Sequence, residues 1–176
     1  MILYCVDRSV VGLRHRHPNM VVVRTASKAY ALAGLRIGFG IATAGTIRRL
    51  APYRPPGSLA TTSVTVVREA LADGTGLREN IARVERERPR LAEALAGLGW
   101  RVGPSVTNFL LADFGTPDRA HVAAEGLLRR ALVPRTFPSG HPLAAALRLT
   151  VRAPHENDRL VEAAAAIGPE LDGLPA

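Results

Sequence analysis

The chain has 176 residues, 47% hydrophobic and 22% charged, with 23 Lys plus Arg against 15 Asp plus Glu, for a formal net charge of +8. That size allows one ordinary domain, or a main layer with a small second lobe, and the composition is that of a globular chain rather than a disordered one. It excludes a membrane span, for which about 18 consecutive apolar residues are needed, and its scattered arginines, few aromatics and lack of a zinc-finger, RNA-binding or KH signature exclude an ordinary nucleic-acid binder.

In chain order, "ILYCV" (2–6) reads as a short strand, and the opening "MILYCV" is too short for a signal-peptide core. Cys5 is the one cysteine, so no internal disulfide forms, and a reducing cytoplasmic setting is expected. "RHRHPNM" (14–20) is a polar connector. "VVVRT" (21–25) is a β-branched run of strand length, and "RIGFGIAT" (36–43) a second strand with Gly38 and Gly40 interleaved. A short helix over 44–51 leads to the proline-rich connector "PYRPPGS" (52–58). The next helix, 59–73, places Val64, Val67 and Leu71 on one face.

Leu77, Ile81, Val84, Leu91, Leu95 and Leu98 keep helical spacing. Pro89 falls inside that pattern and predicts a bend near 86–89, or the start of a second helix, and so a natural hinge between two lobes. Gly97 and Gly99 supply the stop. The remainder reads as a small α/β lobe. A strand lies within 101–114, a helix spans 117–131, 132–137 is extended, 147–153 is a strand, and 155–168 is a closing helix started by Pro154.

"TASKAYALAGLRIGFG" (25–40) holds the only lysine among 23 cationic side chains. A neutral amine attacks a carbonyl to form an imine, whereas guanidinium stays protonated and does not. Ser27 adds a hydroxyl beside Lys28, Gly34 is expected to let the backbone turn tightly, and Arg36 offers a fork for phosphate oxygens. An amine for an aldehyde, with a hydroxyl and a guanidinium for a phosphate, matches pyridoxal 5′-phosphate. His15 and His17 flank Arg16 without a third ligand, His121, His141 and His155 stand alone, and no metal site is expected. Neither a paired-carboxylate site nor a nucleophile-elbow serine is visible.

"RTASKAYALAGLRIGFGIA" (24–42) resembles the Schiff-base lysine motif of fold-type I pyridoxal-phosphate enzymes, the class I/II aminotransferases, and most of all their histidinol-phosphate aminotransferase branch. "SVTNFLLADF" (105–114), "LVPRTF" (132–137) and "LRLTVRAPHENDRLVEA" (147–163) follow in the family's order, so the resemblance spans nearly the whole chain. It implies an α/β fold: the C-terminal part of a three-layer α/β/α large domain over 1–85, then a small α/β domain over 86–176. It also implies that Lys28 binds the cofactor and shuttles the proton at the substrate Cα, and that Ser27 and Arg36 bind the cofactor phosphate. Arg148 would clamp the substrate carboxylate or its equivalent, Arg135 an anionic side group, and Asn108 would lie near the site.

Enzymes of this type are longer. The phosphate-cup glycine loop, the ring-stacking aromatic and the aspartate at the pyridine nitrogen fall in the part that precedes the matched segment, and Asp7 does not match that aspartate. The 176 residues alone are therefore expected to be a poor catalyst. The resemblance implies a small-molecule amino-acid or amine substrate and a homodimer, or pairing with a separate N-terminal half. Two other readings stand beside transamination: a threonine-phosphate decarboxylase-like enzyme of the same fold, and a non-catalytic fragment.

Overall fold

Residues 9–173 are described by the computed structural model, so the expected strand at 2–6, Cys5 and Asp7 lie outside them. These residues fall into two compact units, one ending at Ala82 and the other starting at Arg83.

In the first unit, Val10–His15 forms a 3-10 helix capped by the Ser9 hydroxyl, overlapping the expected connector only at residues 14 and 15. β1 (Val22–Thr25) and β2 (Gly38–Ile41) pair antiparallel, with Thr25 opposite Gly38. Gly38 is required there: a Cβ would stand 3.1 Å from the Arg24 carbonyl oxygen. α1 (Ala44–Leu50) starts at Thr43, whose hydroxyl accepts from the Thr46 N–H. The Thr46 hydroxyl reaches the Pro18 carbonyl at 2.6 Å. α2 (Thr61–Asp73) ends at Gly74 in the left-handed region. Its expected apolar face is only partly realised. Val67 is buried in a cluster with Ala26 and Ile37, against which Tyr30, Leu32, Leu35 and Phe39 pack, but Val64 and Leu71 remain 42% and 46% exposed.

α3 (Thr75–Gly97) runs as one helix through Pro89. Proline removes one backbone hydrogen bond and clashes with the preceding turn at a cost of about 3 kcal/mol, yet burial flanks it on both sides: Val84 and Glu87 before, Leu91 and Leu95 after. The helix therefore does not restart. Glu87 receives the Arg90 guanidinium at 2.6 Å and the Asn157 amide at 2.8 Å, while Arg90 also reaches Asp158 at 2.7 Å. The hydrogen-bonded Arg90 guanidinium, joined by the Asn157 amide, holds the Glu87 carboxyl below the usual carboxylate range against the opposing effect of burial.

The second unit carries a three-stranded antiparallel sheet in the order β3–β4–β5. The single strand expected within 101–114 is two, β3 (Arg101–Val102) and β4 (Phe109–Asp113). They are divided by a loop in which the Ser105 and Thr107 hydroxyls both donate to the Phe109 carbonyl. α4 (Pro117–Leu128) is capped by Thr116, and β5 (Ala146–Thr150) pairs with β4. α5 (Pro154–Asp172) continues past Gly168 and through Pro169, because Leu171 beyond it is buried. α4 packs on both α5 and β5. One face of the sheet is thus covered: Leu110, Ala112, Leu147 and Leu149 are buried.

Candidate functional site

The lysine turn leaves β1 and is closed by its own backbone. The Ala26 N–H donates to the Ile37 carbonyl, Leu32 N–H to Ala26, and Ala31 N–H to Lys28. The Asn80 side chain on α3 donates to the Ala29 carbonyl at 3.0 Å. Ala26 and Ala29 are fully buried, which fixes the loop by two small anchors and leaves Ser27 and Lys28 between them facing outward. Lys28 is exposed, and its amine has no hydrogen-bond or ion-pair partner among the described residues. The Ser27 Oγ accepts from the Thr25 hydroxyl at 2.9 Å.

Arg36 follows a 3-10 turn over Ala33–Leu35 and has φ 54. For a residue with a Cβ the left-handed region costs about 1–2 kcal/mol, and strain of this kind is often concentrated where function needs it. Its guanidinium donates to the Ala33 carbonyl at 3.0 Å. The expectation that Gly34 provides the tight turn is not met. Within this turn the left-handed residues are Ala31 and Arg36, and a Cβ on Gly34 would meet nothing within 4 Å. No hydrogen bond joins the Ser27, Lys28 and Arg36 side chains to one another.

Arg135, Arg148 and Asn108 all belong to the second unit. The segment after α4 makes a β-bridge in which Arg135 and Arg148 exchange both backbone hydrogen bonds, at 3.0 and 2.9 Å. Residues paired in this way put their side chains on the same face of the sheet. That face is opposite the helices: Arg135 and Arg148 are exposed, while Leu147 and Leu149 point into the core. Phe109, diagonal to Arg148 across β4 and β5, holds the Arg148 guanidinium 5.1 Å from its ring centroid, an attractive cation–π geometry. Two guanidiniums on one face, one of them over an aromatic ring, form a ready anion receptor. The Asn108 carbonyl accepts from the Val151 N–H, and its side-chain Oδ1 is buried without a hydrogen-bond partner. Arg88 donates to the neighbouring Thr107 carbonyl at 3.0 Å.

Sequence reasoning passed over Thr25, Asn80 and Phe109. The signal for Thr25, a hydroxyl two residues before Ser27, was present but indistinguishable from ordinary strand composition.

His15 ends the 3-10 helix and His17 lies beyond it, so the two do not share a strand face. Among the described residues no three His, Cys, Asp or Glu side chains gather to hold a metal, and no helix is long and apolar enough to cross a membrane.

The family profile described as aminotransferase class I and II matches residues 6–167. The chain is similar to a histidinol-phosphate aminotransferase of Anaeromyxobacter sp., with 40% identity over 154 residues, 87% of this chain and 42% of that protein. Its fold is similar to the crystal structure of histidinol-phosphate aminotransferase from Sinorhizobium meliloti in complex with pyridoxal-5′-phosphate, with TM-score 0.80 and 30% identity over 88% of this chain and 42% of the other. It is also similar to L-threonine-O-3-phosphate decarboxylase from Porphyromonas gingivalis, with TM-score 0.71 and 25% identity over 83% and 46% of the two chains. The chain spans less than half the length of each of these proteins.

Proposed function

The chain belongs to the aminotransferase class I and II family, and from that premise we propose that it carries the cofactor-holding lysine and the substrate-holding arginines of a pyridoxal-phosphate-dependent aminotransferase. Its substrates on this reading are a histidinol-phosphate-like amine and a 2-oxo acid. The observation that carries the reading is the lysine turn: the only lysine of the chain stands exposed between two buried alanines, without a partner among the described residues.

The residues present fit the cofactor. Ser27 accepts from Thr25 and so keeps its own hydroxyl hydrogen to donate to a phosphate oxygen, and Arg36 has guanidinium N–H groups beyond the one bonded to Ala33. When bound, pyridoxal phosphate supplies an aldehyde for amine condensation and a ring that takes up negative charge from the substrate. Lys28 offers its Nζ to that aldehyde and moves the proton at the substrate Cα. Arg148 holds the substrate carboxylate or its equivalent, and Arg135 an anionic side group. Asn108, immediately before β4, lies near the substrate groups. We infer the domain division at 85/86 from the resemblance, with residues 1–85 in the larger cofactor-binding domain and 86–176 in the smaller one. A cytoplasmic dimer belongs to the same reading, and sedimentation tests the dimer.

Adding pyridoxal phosphate to the protein should produce a visible absorbance band that is missing from Lys28→Ala. A band that survives in Lys28→Ala, or none in the unaltered protein, removes the reading. The likeness to the decarboxylase favours a second chemistry on the same residues, and release of carbon dioxide rather than a 2-oxo acid product would decide for it.

A further inference from the structure

Thr25, the last residue of β1, makes three contacts through one hydroxyl oxygen. It accepts the Ser27 N–H at 3.0 Å, lies 2.9 Å from the Ser27 Oγ as donor, and is 3.4 Å from the Ile37 carbonyl. A hydroxyl has one hydrogen to give, and the shorter contact takes it. Ser27 therefore accepts from Thr25 on one side, and its own hydrogen is directed to a third group. Its backbone is fixed by the same oxygen, in a hydroxyl-to-backbone turn two residues long.

We propose that Thr25 is a positioning residue for phosphate binding: it orients the Ser27 hydroxyl as a donor and does not itself touch the ligand. The proposal rests on the cofactor reading above. Thr25→Val keeps the branched shape and strand preference but removes both hydroxyl bonds, whereas Thr25→Ser keeps them. A residue that acts only through Ser27 has nothing left to contribute once the Ser27 hydroxyl is gone, and a double-mutant cycle measures that dependence.

The test is titration with pyridoxal phosphate, followed by the Lys28-dependent visible band, for the unaltered protein, Thr25→Val, Thr25→Ser, Ser27→Ala and the Thr25→Val/Ser27→Ala pair. Thr25→Val should weaken binding about tenfold, the scale of one hydrogen bond to a charged group. Thr25→Ser should recover most of that loss, and the double variant should bind like Ser27→Ala alone. Pyridoxal, which lacks the phosphate, should react equally with Thr25→Val and the unaltered protein. Additive losses in the double variant would mean that Thr25 acts otherwise than through the Ser27 hydroxyl, by touching the ligand or by holding the Ser27 backbone N–H, and would overturn the proposal, as would an equal loss for pyridoxal, which marks general damage to the turn. Absence of a Lys28-dependent band in the unaltered protein would overturn the cofactor reading and this inference together, an outcome separable from the other two.

Discussion

Arg135 and Arg148 face each other across a hydrogen-bonded strand pair, and Arg135→Gln tests what that arrangement costs and what it is for. Such partners stand about 5.5 Å apart at Cα. Exposed guanidinium heads about 7 Å apart repel by about 0.6 kcal/mol at the dielectric of water, and by about twice that with low-dielectric protein beneath them. Like charges directly opposite on strands are unfavourable by amounts in the same range. Phe109 attracts only one of the two heads, that of Arg148, so removing the Arg135 charge relieves repulsion without disturbing the ring contact. In low salt Arg135→Gln should therefore be the more stable protein, by about 0.5–1 kcal/mol, which for a unit of this size is about 2–6 °C in thermal midpoint. At about 0.5 M sodium chloride the gain should vanish, because screening acts within a few ångströms. Added phosphate should raise the midpoint of the unaltered protein more than that of Arg135→Gln. Differential scanning calorimetry at two salt concentrations, with and without phosphate, reads all three. A stabilisation that is absent in low salt, or that persists in high salt, would refute the account of these arginines as a repelling pair held for an anion.

Three further outcomes follow from named contacts. The Glu87 carboxyl has its pKa lowered in the folded protein, so its contribution to stability is present above the unfolded value of 4.5 and is lost as pH falls through the lower folded value. Glu87→Gln should cost about 2 kcal/mol at pH 7 and flatten the acid limb of urea-measured stability below about pH 5. Arg36→Gly removes left-handed strain of about 1 kcal/mol, so it should leave the melting temperature unchanged or raised while weakening pyridoxal-phosphate binding at least about tenfold; a lowered melting temperature would mean the side chain supports the turn. Gly126→Ala sets a Cβ 2.7 Å from Ile167 Cγ1, with Ile167 fully buried in α5. Overpacking of about 1–3 kcal/mol outweighs the helix-propensity gain of about 1 kcal/mol, and a chemical-denaturation midpoint should fall.

The lysine turn was legible because its chemistry is written in one short contiguous segment. Lys28 is singled out by residue type alone, and Ser27 and Arg36 lie within eight residues of it. Even there, the sequence assigned the tight backbone to Gly34, whereas the structure puts left-handed conformation on Ala31 and Arg36. Glycine marks where such a conformation is easy, but strand pairing and the buried Ala26 and Ile37 decide where it is imposed. Elements with a strong local signal kept their places: β1, β2, α1, α4 and β5 fall within a few residues of the expected spans. Proline misled inside the helices. Pro89 predicted an interruption, and the helix is carried through it by the buried Leu91 and Leu95, while α5 runs past its expected end at 168 and through Pro169 to Asp172.

The Arg135–Arg148 pair marks the boundary of what a sequence shows. Nothing in the spacing of "VPRTF" and "LRLTV" says that these two arginines are partners, and the chain holds 22 arginines from which to choose. Resemblance selected them, but it carries no register. Only the bridge between the segment after α4 and β5 places both side chains on one sheet face, and a shift of one residue would send one of them to the other face among Leu147 and Leu149. That alternative is closed by burial: Leu147 and Leu149 are 1% and 2% exposed beneath α4 and α5. The hydrophobic core therefore fixes the register of β5, and the register places Arg148 on the open face opposite Arg135. The geometry of this arginine pair thus follows from apolar packing on the other side of the sheet.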